Sequence, residues 1–254
     1  MRNRSVGLIP CRLESTRLKN KLLKKICDYP LFAHTYFNSF NSNLNELYVC
    51  TGDKEIIDWC KKLNINFIKT VNKHSNGTER CGEAGETLKL KSSDRIVNIQ
   101  GDEPLIEKKN INLLLKKFNE NKFSDVTTLH QVKESKNDPN STKLILSNKN
   151  KVLYISRADI PYSNKTLDKS IHIGIFCFEY RTLLKIINYK KSLVEKIENI
   201  ELIRCLDNEI NVFSYKITND LIGVDTRKEF NTVKMMLEEN KDYSYSINKF
   251  YTGA

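Results

Sequence analysis

The sequence predicts an α/β fold, a mostly parallel central sheet flanked by helices, joined by a smaller antiparallel β lobe. Three features lead there. From Ser5 to Ile68, short apolar runs alternate with amphipathic stretches, the rhythm of a doubly wound sheet. Two apolar runs carry a glycine and a carboxylate at their ends, in Ile99-Gln100-Gly101-Asp102 and Ile222-Gly223-Val224-Asp225. Between Leu144 and Phe178 the pattern changes to β-prone runs without intervening helices.

Ser5 to Pro10 reads as the first buried strand. It runs into a polar loop, Cys11 to Lys21, with Arg12, Arg17, Lys19, Lys21 and the hydroxyls of Ser15 and Thr16. Arginine forks match phosphate oxygens and lysine supplies a point charge. At the ligand edge of an α/β sheet, four cations favour a polyphosphate over a merely solvated loop. Neither the P-loop pattern nor the dinucleotide-binding glycine fingerprint is present. Pro30 to Phe40 has helical apolar spacing, Glu46 to Thr51 reads as a strand, Ile56 to Leu63 as a helix and Ile65 to Ile68 as a strand. Asn76-Gly77 marks a turn before a helix reaching about Leu90. Spacing leaves Arg80 open between a phosphate or base contact and a solvated charge, and His74 reads as a surface histidine.

The organising stretch is Arg95 to Ile106. Its β-prone residues form a strand that Gly101 and Pro104 end, leaving Asp102 and Glu103 just past it. A carboxylate there can seat Mg²⁺, which prefers oxygen and shares itself with substrate phosphates. The same acids can equally cap the following helix. Lys109 to Phe118 is then helical and Val126 to Leu129 a strand, with a break at Asn137 to Asn140. Leu144 to Leu146 and Val152 to Ser156 form a hairpin that places Arg157 at a strand end. Ile171 to Phe178 is an apolar strand in which a lone His172 reads as a hydrogen-bonded core residue. Leu193 to Leu206 reads as one amphipathic helix, its Glu195, Glu198, Glu201 and Arg204 forming a solvated face. Val212 to Ile217 is a strand, and Thr226 caps a helix from Lys228 to Glu239. Asp225 is therefore a second carboxylate at a βα junction, and two such groups can share divalent ions between phosphates.

Composition excludes several classes. The 254 residues are 39 % hydrophobic and 29 % charged, an ordinary globular balance. No apolar run approaches the roughly 18 residues that span a membrane. The apolar segment after the basic start is too short for a signal peptide, so a cytoplasmic chain is expected. Seven cysteines lie scattered without zinc spacing, as reduced, mostly buried thiols do. A net charge of +11 raises the question of nucleic acid. The lysines are dispersed, however, and no aromatics interleave with a basic stripe. An anionic small-molecule substrate accounts for a local positive field, and neither nucleic acid nor membrane is expected as partner.

Six motifs in order, IPCRLESTRL with Lys21 three residues on, NGTER, VNIQGDEPLI, YISRADIPY, HIGIF and GVDT, resemble the 3-deoxy-manno-octulosonate (Kdo) cytidylyltransferases over about residues 5 to 239. The resemblance implies a Rossmann-like sugar-nucleotidyltransferase fold in a single domain of 1–254. Its nucleotide-binding core would span about 1–130 and 210–240, with a sugar-binding and dimerisation lobe at about 131–209. It implies transfer of CMP from CTP to Kdo with Mg²⁺, for lipopolysaccharide or capsule synthesis, by a homodimer. By matching position, Arg12, Arg17 and Lys21 are implied as triphosphate ligands, with Thr78 and Arg80 beside the nucleotide. Asp102 and Asp225 are the implied Mg²⁺ ligands, and Gln100, Arg157, His172 and Glu201 the implied sugar-acid contacts. Arg17, Lys21 and Asp102 carry the implied chemistry. The chain departs from the family pattern at Cys11, at Lys19-Asn20-Lys21-Leu22 and at Asn76. It also has Phe176 where tyrosine is common and Leu202 where glutamine is frequent. The last two remove hydrogen-bonding groups, so a modified Kdo or another sugar acid is the alternative substrate.

Overall fold

The computed structural model describes residues 3–14, 17–71, 73–135 and 138–253. Ser15, Thr16 and Asn137, named above for their loops, lie outside the described residues. The chain opens with β1 (Ser5–Pro10), buried throughout. A 3-10 turn at Lys21–Leu23 leads to a small hairpin, β2 (Lys25–Ile26) and β3 (Tyr29–Pro30). Cys27 and Asp28 turn it at φ 45° and 66°, the positive values a two-residue hairpin loop requires. Next come α1 (Leu31–Ser39), β4 (Glu46–Thr51), α2 (Lys54–Lys62), β5 (Phe67–Lys69), α3 (Gly77–Thr87), β6 (Arg95–Ile99) and α4 (Lys108–Glu120). The second half holds β7 (Val126–Ser135), β8 (Lys143–Leu146), β9 (Val152–Ser156), β10 (Leu167–Glu179) and α5 (Tyr180–Asn188). It continues through α6 (Leu193–Glu198), α7 (Leu202–Asp207), β11 (Val212–Lys216), α8 (Arg227–Glu239) and α9 (Lys241–Thr252).

Among the described residues one sheet runs β11-β7-β10-β6-β1-β4-β5, with β8 and β9 attached through β10. All neighbours on this path are parallel except β10, which runs against both β6 and β7. The mostly parallel sheet is as expected. The antiparallel character is not confined to an added lobe, because β10 lies inside the main sheet and the β8–β9 hairpin pairs onto it. This placement matters for the site. Ile175 pairs with Ile99, the last residue of β6, so His172 to Gly174 overhang the point where β6 stops. The register shifts between Ile173 and Phe176, a bulge that bends the overhang.

Both faces of the sheet are covered, as a parallel sheet requires. Val6 and Leu8 pack into one cluster with Ile96, Phe176 and Phe178, and Ile9, Val97, Ile99 and Ile175 into the other. The polar tail is ordered as α9. Its Tyr243 hydroxyl meets Nδ1 of buried His34 at 2.8 Å, while His34 Nε2 donates to the Ile26 carbonyl at 2.9 Å.

The helix expected over Leu193 to Leu206 is two helices. Asn199, at φ 54°, breaks it, and the chain restarts at Leu202. Its charges are not a solvated face. Glu195 and Arg204 are 4 % and 2 % exposed and pair at 2.5 Å. Glu198 accepts from the Arg157 N–H at 2.9 Å. Periodicity within a segment cannot reveal partners that other segments supply.

Burial lowers His34 and His130 to about 4, so both rings stay neutral in the fold. A depressed histidine pKa leaves stability intact above the unfolded value near 6.5 and removes it as pH falls toward the folded value. Urea unfolding should therefore show stability declining from pH 6.5 toward pH 4. The loss at His34 reaches about 3 kcal/mol at the acid end. A His34→Gln variant should show a shallower decline, and an unchanged slope would refute a buried neutral His34.

Candidate active site

Three chain segments meet beyond the carboxyl ends of β1 and β6: the loop after β1, the loop after β6 and the approach to α8. Lys21, first residue of the 3-10 turn, joins them. Its Nζ stands 2.5 Å from Asp102 Oδ2 and 2.6 Å from Asp225 Oδ1. Arg17 reaches Asp225 Oδ2 at 2.8 Å and the Asn140 side chain at 3.0 Å. Burial by itself would lower the Lys21 ammonium, but Asp102 and Asp225 outweigh it and raise its pKa. Burial would raise Asp225, yet Lys21 and Arg17 hold its carboxyl below its ordinary value.

The backbone under these groups is fixed. The Val224 N–H donates to the Asp102 carbonyl at 2.9 Å, tying the two acidic segments. Glu229, in the first turn of α8, accepts from the Asp225 and Thr226 N–H groups at 2.7 Å each, closing a capping box. Gly101 lets the loop after β6 lie against β1, since a Cβ there would come 2.8 Å from Cys11 Sγ.

Two adjoining cavities of about 330 and 360 Å³ share Gln100, Asp102, Asn199, Glu201 and Asp225 as a common wall. The larger is lined by the cations of the first loop: Arg12, Arg17 and Lys21. Arg12 is exposed and makes a 3.4 Å contact with the Ser75 carbonyl. Arg80 lines the same cavity but is only 2 % exposed, held by the Thr70 hydroxyl and, at 3.0 Å, by the Val71 carbonyl. It is thus no solvated charge. Thr78 is not among the residues lining either cavity; its hydroxyl donates to Glu201 from behind. Lys19 is exposed and lies off both walls.

The smaller cavity brings together Gln100, Arg157, His172 and Glu201. Three backbone carbonyls fix the Arg157 guanidinium: Glu198 at 2.9 Å, Asn140 at 3.2 Å and Pro139 at 3.3 Å. The Thr128 hydroxyl donates its one proton to the Ile175 carbonyl at 2.7 Å. It must therefore accept from His172 Nε2, 2.9 Å away, which leaves Nδ1 as an acceptor. Burial pushes this ring down to about 3, so it is neutral. His172 is a hydrogen-bonded residue, as expected, and also part of the cavity wall. Burial raises Glu201 above its ordinary value despite the Thr78 hydroxyl. Burial and the neighbouring Asp102 push Glu103 up to about 8.

The sequence reading gave no role to Asn199, Asn140 or Glu229. Glu229 was legible, because Thr226 and Glu229 have capping-box spacing; Asn199 and Asn140 carry no local signal. His74 is only partly exposed and pairs with Glu83 at 2.5 Å, away from both walls.

The cytidylyltransferase family profile matches residues 6–219. The 3-deoxy-manno-octulosonate cytidylyltransferase of Fusobacterium nucleatum is 36 % identical over 240 residues, covering 92 % of this chain and 97 % of that protein. The chain belongs to this family. The enzyme of the same name from Helicobacter acinonychis is 33 % identical over 228 residues, 87 % of this chain and 93 % of the relative. A solved CMP:2-keto-3-deoxy-manno-octonic acid synthetase complexed with CTP superposes with a TM-score of 0.85 at 26 % identity, covering 93 % of this chain and 99 % of that one. Among the family departures, Cys11 is the residue packed on Gly101. Phe176 lies in the wall of the smaller cavity and stacks on His172, ring centroids 5.2 Å apart. Leu202 is in the same wall, 4 % exposed.

Gly101→Ala should destabilise the protein by about 1–3 kcal/mol, because the new methyl overpacks Cys11. Cys11→Ala in the same chain should recover most of that loss. Chemical denaturation of the two single variants and the double variant measures the coupling. Additive effects would show that the Cys11–Gly101 contact does not set the loop.

Proposed function

We propose that this cytidylyltransferase couples CTP to Kdo, giving CMP-Kdo and pyrophosphate. The observation that carries the reading is the pair Asp102 and Asp225, held around a cation on the wall shared by two cavities. The cation-lined cavity suits a nucleoside triphosphate, and the cavity with Arg157, His172 and Glu201 suits a polyhydroxylated sugar acid. In this reading the sugar's anomeric hydroxyl attacks the α-phosphorus and the bond to pyrophosphate breaks. Such displacements depend on alignment and charge neutralisation.

Arg12, Arg17 and Lys21 neutralise the triphosphate and the departing pyrophosphate. Arg80, immobile in the cavity floor, adds a fixed positive charge. Arg157 pairs with the sugar carboxylate. His172 Nδ1 accepts from a sugar hydroxyl, and Gln100 and Glu201 orient the sugar from the shared wall. Asp102 and Asp225 would hold Mg²⁺. Their donor set fits it: two carboxylates already surround an ammonium, and Mg²⁺ takes few protein oxygens and completes its shell with water and phosphate. Among the described residues no three His, Cys, Asp or Glu side chains form a fuller metal site. Bound there, Mg²⁺ supplies charge neutralisation and Lewis acidity at phosphate oxygens.

The decisive assay is pyrophosphate release with CTP, Mg²⁺ and Kdo, against a no-sugar control and the other three nucleotides. Release should require CTP and Kdo together. Asp102→Asn should lower it by roughly 10³-fold while the circular dichroism spectrum stays native. Near-normal turnover in that variant would refute the assignment. Turnover with another sugar acid in place of Kdo would move the substrate to that acid and trace the change to Phe176 and Leu202.

We further assign a homodimer, as the family resemblance implies, to the surface that bears the exposed apolar side chains of α6, Leu193 and Ile197. Leu193 and Ile197, one turn apart on α6, are 71 % and 73 % exposed. Neighbouring exposed apolar side chains mark interaction surfaces. Light scattering should give a dimer mass for the wild type and a monomer mass for Ile197→Glu. A monomeric wild type would overturn the assignment. No helix among the described residues is long and apolar enough to cross a membrane.

A further inference from the structure

We infer that Glu103 is a positioning residue for the two site carboxylates, pinning the Asp102 loop, the β10 overhang and the Asp225 segment to one another. The inference rests on the reading of Asp102 and Asp225 as the reaction centre. Glu103 follows Asp102 directly, but its side chain turns toward other parts of the chain. Its Oε1 accepts the Gly174 N–H at 3.0 Å. Gly174 belongs to the β10 overhang, between His172 and Phe176.

The space around this carboxyl has been left for it. A Cβ on Gly174 would come 2.8 Å from Gln100 Cγ and 2.9 Å from Glu103 Oε1. A Cβ on Gly223 would come 3.1 Å from the same oxygen, and its three nearest neighbours would all be Glu103 atoms. Neither glycine has the positive φ that requires one. Close approach is what their missing side chains permit. Two residues after Gly223 stands Asp225, so the Glu103 carboxyl lies between the segments that bear His172 and Asp225.

Backbone bonds complete the triangle. The Gln100 N–H donates to the Gly174 carbonyl at 3.0 Å, and the Val224 N–H to the Asp102 carbonyl at 2.9 Å. Glu103 also lines the smaller cavity and is not among the residues lining the larger. Asp102 and Asp225 line both cavities, so loss of the pin should be felt most in sugar use and in the chemical step, and less in CTP binding. Glutamine keeps the length and the acceptor oxygen for Gly174, and alanine keeps neither.

The test compares Glu103→Ala, Glu103→Gln, Gly223→Ala and the double variant Glu103→Ala/Gly223→Ala. Glu103→Ala should lower kcat by roughly 10- to 100-fold and raise KM for the sugar acid. Its CTP affinity by calorimetry should change less than its KM for the sugar acid, and Glu103→Gln should restore most of the lost kcat. Gly223→Ala should lower the melting temperature by about 2–4 °C in the wild-type background and leave it unchanged in the Glu103→Ala background. Wild-type kinetics in Glu103→Ala, or equal melting losses from Gly223→Ala in both backgrounds, would overturn the inference. If the wild type releases no pyrophosphate with any sugar acid, the functional reading fails, and the melting comparison still decides whether Glu103 is the pin.

Discussion

The arrangement of the whole site depends on one ammonium group held between two carboxylates. Asp102 and Asp225 lie 123 positions apart in the chain and on different segments, yet both touch Lys21 Nζ. Two like charges a few ångströms apart repel by about 1–4 kcal/mol in surroundings between water and a protein surface. The Val224–Asp102 backbone bond ties the two segments but does not offset that repulsion. Lys21 reverses the sign of that interaction, and the raised Lys21 and lowered Asp225 pKa values express the gain. The remaining contacts make the approach rigid: the Val224–Asp102 backbone bond, the Glu229 cap and the close packing of Gly101 on Cys11.

A second set of buried charges builds the wall that divides the two cavities. The break at Asn199 allows α6 and α7 to present their acids in different directions. Glu198 turns to the end of β9 and fixes the Arg157 backbone, while Glu201 turns to Thr78 at the start of α3. Arg204 and Glu195 close the corner between the two helices. Breaking a buried pair of this kind leaves an uncompensated charge, which is far costlier than losing a surface pair. The wall is thus stiff for the same reason that its charges look misplaced in a helical pattern.

What was legible in the sequence follows from the range of the interactions. β1 and β4 fall at the expected residues because their apolar runs are local signals with clear ends. The glycine–carboxylate junctions were legible as chemistry because strand ends in an α/β sheet face ligand. The motif order supported the family, and with it the residues that the cavities bring together. Thr78 was read as lying beside the nucleotide; it lines neither cavity, and its hydroxyl donates to Glu201 of the shared wall. The position of β10 inside the sheet and the pairing of Lys21 with both aspartates depend on contacts dozens of residues apart, whereas the break at Asn199 is a local left-handed cap that the helical spacing concealed. No periodicity encodes these. The two-residue turn at Cys27-Asp28 was missed because neither residue is the glycine or asparagine that usually marks positive φ.

The charge balance of the site also constrains how the proposed substrates enter it. Although the chain carries a net +11, Arg17 and Lys21 are already engaged by carboxylates. Among the described residues, Arg12 makes a long contact to the Ser75 carbonyl and Arg80 faces neutral oxygens. On the reading proposed above, a triphosphate meets Arg12 and Arg80 first and competes with Asp102 and Asp225 for the other two. Each cation drawn to phosphate returns negative charge to the aspartates, and that is the state in which a hard divalent cation binds them best. On that reading, nucleotide and Mg²⁺ would favour one another through Lys21. The sugar acid arrives on the other side of the wall, where Phe176 and Leu202 replace hydrogen-bonding groups by apolar surface. A buried cavity with fewer polar groups penalises an unmatched hydroxyl less by lost contact than by desolvation. On the same reading, selectivity for the sugar would rest on Arg157, His172 and the shared wall together with the desolvation that the apolar flank imposes.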